Sequence, residues 1–71
     1  MIEGIYKNFP VSGHWMIYAD SRNNYIESTK KYEVKVGDEW VPVSVYTGPK
    51  RIHLLLNGEE VKEGVTARII E

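Results

Sequence analysis

The sequence predicts an all-β fold, a small SH3-like barrel of about six to seven short antiparallel strands. Three observations carry this reading. Turn-forming residues recur at short intervals along the whole chain, the stretches between them are rich in aromatic and β-branched residues, and no stretch offers three turns of amphipathic helix. Closing the sheet into a barrel would hide edges that otherwise invite aggregation.

Ile2 to Lys7 makes a first strand, with Ile5 and Tyr6 its main apolar members. Pro10 and Gly13 bracket a loop over Asn8–Gly13. His14 to Ala19 follows as a strand, and Asp20–Asn24 reads as a turn, since Asp, Ser and Asn bond their own nearby backbone. Tyr25–Ser28 is expected as a short third strand and Thr29–Lys31 as a bend. Tyr32–Val36 alternates apolar and charged residues, which sends Tyr32, Val34 and Val36 to the core and Glu33 and Lys35 to water.

Gly37-Asp38-Glu39 closes a hairpin into the strand Trp40–Tyr46, with Val41, Val43 and Val45 on one face and Trp40, Pro42, Ser44 and Tyr46 on the other. Pro42 has no N–H to give a ladder, so it marks an edge or a bulge. Thr47–Arg51 is a turn, Ile52–Leu56 a strand, and Asn57-Gly58 a tight-turn dipeptide. Glu59–Gly64 fits either one helical turn or a loop, and Val65–Ile70 forms the last strand.

Length and composition limit what such a fold does. The 71 residues are expected to form one domain, residues 1–71. A domain of this size buries only about 60% of the surface of its unfolded chain, so its apolar residues are committed to the core rather than to a deep pocket. The absence of cysteine excludes disulfides, thiolate metal sites and a cysteine nucleophile, and points to the cytoplasm. Met1-Ile2-Glu3-Gly4 lacks the apolar run of a signal peptide, and no stretch has the length of a membrane helix. Nine Lys and Arg stand against ten Asp and Glu, so no overall basic excess announces a nucleic-acid binder.

The stretch Tyr32–Val45, with its Gly37-Asp38-Glu39-Trp40-Val41-Pro42 hairpin, together with Gly13-His14-Trp15 and Gly64-Val65-Thr66-Ala67-Arg68-Ile69, resembles a family of short, uncharacterised all-β domains. Those domains are encoded on phages, plasmids and integrative elements of Gram-positive bacteria. The resemblance implies a small barrel fold and a mobile-element setting, and it adds nothing on catalysis, because the family carries no established activity.

Catalytic constellations are weak. His14 and His53 are the only histidines, and with Glu33 or Asp38 they would make at most an unmotivated metal site. Ser12, Ser28 or Ser44 could be paired with either histidine, but no nucleophile elbow or glycine-rich phosphate loop is present. The expectation is therefore a chain without cofactor, metal or enzymatic activity.

Eight aromatic residues exceed what so small a core absorbs, so some must reach the surface. Trp15, Tyr18, Trp40 and Tyr46 are the candidate anchors for a protein partner, the leading expectation. The alternative uses Arg22, Tyr25, Lys30, Lys31, Lys50 and Arg51, a ring among cations suited to a weak interaction with nucleic acid. It ranks second because net charge is −1. A structural piece of a larger assembly is the third reading.

Overall fold

The computed structural model describes residues 1–70 and contains eight strands, all paired antiparallel. They are β1 Ile2–Asn8, β2 Trp15–Ala19, β3 Arg22–Tyr25, β4 Tyr32–Val36, β5 Glu39–Thr47, β6 Ile52–Leu56, β7 Glu59–Glu60 and β8 Thr66–Ile69. Their spatial order is β3-β2-β1-β8-β4-β5-β6-β7. The sheet is open among the described residues: β3 and β7 are its two edges, and no ladder joins them. The expected closed barrel is therefore not what strand pairing gives. A count of six to seven strands becomes eight because Glu59–Glu60, read from the sequence as a helical turn or loop, pairs with Leu55 and Leu56.

Three two-residue turns set the hairpins. Asp20 and Ser21 both take positive φ, 53° and 62°, as do Asn57 and Gly58, at 53° and 82°. That is the type I′ pattern, whose twist matches the flanking strands. At Gly37-Asp38 only Gly37 is positive, at 63°, the II′ pattern. The turn at Asp20-Ser21 corrects the expectation of a longer Asp20–Asn24 turn followed by a strand at Tyr25–Ser28. Arg22–Tyr25 is itself the strand, and its register puts Tyr25 opposite Met16 and Asn24 opposite Ile17. Asn and Arg are poor strand formers, but an edge strand needs only one pairing side, and Asn24 Nδ2 donates to the Ile17 carbonyl at 3.1 Å.

Alternation then sorts the faces. Tyr6, Ile17, Ala19, Tyr32, Val34, Ala67 and Ile69 point inward from the six-strand part of the sheet. β5 pairs β4 through Val43 and β6 from Ser44 onward, so its nine residues carry the sheet around a bend. Pro42 sits just before that change of partner, as its missing N–H requires. Beyond the bend, Leu54 with Val45, Ile52 and Leu56 folds back over the same core. Burying these side chains is the main favourable term in so small a fold. Val36 departs from expectation: it is 51% exposed, because the alternation that buries Tyr32 and Val34 runs past the edge of the core at the Gly37 turn.

One hydrogen bond spans the interior. The Leu54 N–H on β6 donates to the Tyr6 hydroxyl on β1 at 2.8 Å, and Tyr6 is fully buried. A second buried tyrosine, Tyr32, accepts the Glu27 N–H at 2.8 Å and fixes the loop before β4. Gly4 permits the close approach of β1 to β2, since a Cβ there would lie 2.1 Å from the Tyr18 carbonyl oxygen.

Candidate functional site

The β2–β3 hairpin and the turn between β5 and β6 meet at one end of the molecule. In the turn, the Gly48 N–H donates to the Arg51 carbonyl at 3.0 Å, which folds Pro49 and Lys50 outward. In the hairpin, the Ile26 N–H donates to the Trp15 carbonyl, extending the ladder one residue beyond Tyr25. Between them lies a cleft of about 590 Å³, lined by His14, Trp15, Tyr25, Ile26, Ile52 and the Gly48–Arg51 turn.

The walls of this cleft have a definite chemistry. Tyr25 is 49% exposed and receives the His14 ring edge-on, with centroids 5.7 Å apart. Trp15 closes the inner side; its ring stacks on buried Tyr6 at 4.7 Å, and its Nε1 is buried without a hydrogen-bond partner. Lys50 and Arg51 supply positive charge from the turn. No carboxylate is among the described residues that line the cleft. Flat apolar surface beside cations, with no opposing acid, suits an anionic ligand that carries a ring.

A second depression of about 460 Å³ lies across the same turn and shares Gly48, Pro49, Lys50 and Arg51 with the first. Its floor is Tyr46, 46% exposed, whose ring tilts against buried His53 at 5.0 Å. Glu60 stands at its rim, 3.0 Å from Arg51 Nη2 and 3.8 Å from His53 Nε2. His53 Nδ1 is buried without a partner. Gly48 lets the Tyr46 ring lie close against the turn, since a Cβ there would meet the ring edge at 2.8 Å and displace it.

The four aromatic residues expected to anchor a protein partner do not share a surface. Trp15 faces the core and the first cleft. Trp40 is half-buried on the outer face, with the Arg68 guanidinium 4.1 Å and the Lys35 ammonium 5.7 Å from its ring centroid. Arg68 is in turn held by Glu33, accepting from Nε at 2.9 Å and Nη2 at 2.6 Å. Trp40 is thus covered by its own sheet. Tyr18 lies elsewhere on that outer face, 43% exposed beside Ile5 and Phe9, and Tyr46 sits beyond the bend.

The cationic set divides differently. Tyr25, Lys50 and Arg51 converge on the first cleft. Arg22 is exposed on the β3 edge. Lys30 and Lys31 line another depression, with Ser28, Glu33 and Pro42, and Lys30 pairs with Glu27 at 3.2 Å. His14, which sequence reasoning weighed only as a metal ligand or in a triad, belongs to the cleft wall. The register set by the short Asp20-Ser21 turn is a signal that brings His14 beside Tyr25, while the approach of the β5–β6 turn carries no local signal.

Among the described residues no three His, Asp or Glu side chains gather into a metal-binding group. The Ser–His contact present is the His14 backbone N–H donating to Ser12 Oγ at 3.3 Å, which is loop structure rather than nucleophile activation. No helix among the described residues is long and apolar enough to cross a membrane. No family model matches the chain, and neither a curated protein nor a solved structure matches it.

Proposed function

We propose that the chain is a non-enzymatic binding module that takes an anionic, ring-bearing ligand in the cleft between the β2–β3 hairpin and the β5–β6 turn. One observation carries the reading: Tyr25, His14, Lys50 and Arg51 line a single cleft with no opposing acid among the described residues. The ring of the ligand would lie against Tyr25 and His14, and its negative charge would face Lys50 and Arg51. The supporting fold is read as an SH3-like, strongly bent half-barrel. The Tyr6–Leu54 hydrogen bond and the turn of β5 support that description. The likeness of the β4–β5 hairpin and the last strand to mobile-element domains is the reason to propose a phage or mobile-element setting in the cytoplasm.

The test is a backbone amide NMR titration with a nucleoside monophosphate. Shifts should concentrate at His14, Trp15, Tyr25, Lys50 and Arg51, and Lys50→Ala should weaken them. Shifts spread evenly over the surface, or unchanged by Lys50→Ala, would overturn the assignment.

A protein-binding role draws on a separate surface. Ile5, Phe9 and Tyr18 are each more than 40% exposed; Ile5 pairs with Tyr18 across β1 and β2, and Phe9 and Tyr18 flank one depression over Met16. Three exposed apolar side chains together are the composition of a contact patch. Self-association is the version testable with the chain alone. Sedimentation velocity should show concentration-dependent association that Ile5→Lys abolishes, and a monomer at all concentrations removes this version.

A further inference from the structure

The two depressions on either side of the β5–β6 turn share that turn as a common wall. Each holds a tyrosine about half exposed, Tyr25 in one and Tyr46 in the other. Both rings are backed by a histidine: His14 meets Tyr25 edge-on, and buried His53 underlies Tyr46. Lys50 and Arg51, both exposed, line both depressions. The shared wall thus carries the cations, and the depression on each side of it carries one ring.

We infer that a single strand of nucleic acid crosses the Gly48–Arg51 turn, with one base on Tyr25, a neighbouring base on Tyr46, and the intervening phosphate over Lys50 and Arg51. This rests on the cleft reading above and extends it from one ring-bearing anion to a polymer. The chemistry of the ligand follows from the alternation. Stacking platforms with a cationic strip between them match a chain in which planar groups and negative charges alternate. Charge complementarity favours the same occupant, since no acid lines the first depression among the described residues. Among the described residues the second depression has one acid, Glu60, and it is held 3.0 Å from Arg51 rather than standing free. A phosphate arriving over Lys50 competes with Glu60 for Arg51, so Glu60 sets a ceiling on affinity. Removing its charge should tighten binding.

The experiment is fluorescence anisotropy with labelled mono-, di- and hexathymidylate at low and moderate salt, with an oligoglutamate peptide of matched charge as a competitor. Affinity should rise from the mononucleotide to the dinucleotide. Tyr25→Ala and Tyr46→Ala should each weaken hexathymidylate roughly 5- to 100-fold, the usual loss of a stacking platform. Glu60→Gln should strengthen it, and Lys50→Ala should flatten its salt dependence. Tyr25 and Tyr46 are half exposed and Lys50 is exposed, and none of the three belongs to the core cluster.

If the mononucleotide binds as well as the longer ligands and Tyr46→Ala changes nothing, the crossing is overturned while the single cleft stands. If oligoglutamate displaces the oligonucleotide at equal charge and neither tyrosine matters, the surface is a site for an acidic protein and the strand proposal fails. If no ligand binds at low salt, both this inference and the cleft reading fall.

Discussion

The Tyr6 hydroxyl does two jobs with one oxygen: it accepts the Leu54 N–H, and it sits where water does not reach. Burial pushes its pKa up to about 12 from the usual 10, with the hydrogen bond from Leu54 pulling weakly the other way. A tyrosine that keeps its proton longer when folded makes stability pH-dependent in one direction. Below pH 10 both states hold the proton and the full contribution is present. Between about pH 10 and 12 the unfolded chain loses its proton first, and folding weakens by about 1.4 kcal/mol per pH unit from this group. Tyr32, also raised by burial, adds to the same alkaline loss. Tyr6→Phe should therefore flatten the alkaline limb of a urea-unfolding series. At neutral pH it should cost about 1–3 kcal/mol, because the Leu54 N–H is left buried without an acceptor. An unchanged neutral-pH midpoint would show that the bond contributes nothing to stability.

Among the elements, the hairpin turns matter most, since each one fixes which residues face each other. Asn57-Gly58 uses the dipeptide best suited to two positive φ angles, whereas Asp20-Ser21 places a serine at φ 62°. A serine there is strained by its Cβ, by about 1–2 kcal/mol for a residue in the left-handed region. Ser21→Gly should raise the thermal midpoint, with a gain of about 0.5–1 kcal/mol after the added freedom of the unfolded chain is subtracted. A fall in midpoint would mean that the serine hydroxyl supports the turn more than its backbone strains it. The same turn illustrates how legible the elements were. β4 and β6 were readable to the residue, because β4 alternates cleanly and β6 is bounded by turn residues on both sides. β3 was not, because Arg22-Asn23-Asn24 looks like turn material. Only the two-residue hairpin, a matter of backbone angles at Asp20 and Ser21, turns those polar residues into an edge strand.

At the scale of the whole molecule, strand class and inward faces follow from composition and period, whereas connectivity in space does not. Nothing in a local window says that the β5–β6 turn reaches the end of the β2–β3 hairpin. Tyr25 could thus be grouped with Lys50 and Arg51 only by residue type, and Lys30 and Lys31 were grouped with them although the fold sends them elsewhere. Trp40 misled for a related reason: it lies on the outer face, but Lys35 opposite it and Arg68 from β8 cover its ring. Residue type identifies what could bind, and only tertiary neighbours decide what is left uncovered.

β8, the eighth strand in sequence, stands fourth in space, between β1 and β4. Ile69 faces Ile2 on one side and Tyr32 on the other. Without β8 the chain is two local meanders, β1–β3 and β4–β7, with no ladder between them. Each meander can zip from its own turns on the microsecond scale of hairpins. Joining them has to wait for a strand whose β1 partner lies at the far end of the sequence, and that loop closure is the slow, non-local step. Cooperativity in this protein is therefore expected to be a matter of timing: its two halves can form early, and their strands share one ladder only when Thr66–Ile69 slots between them.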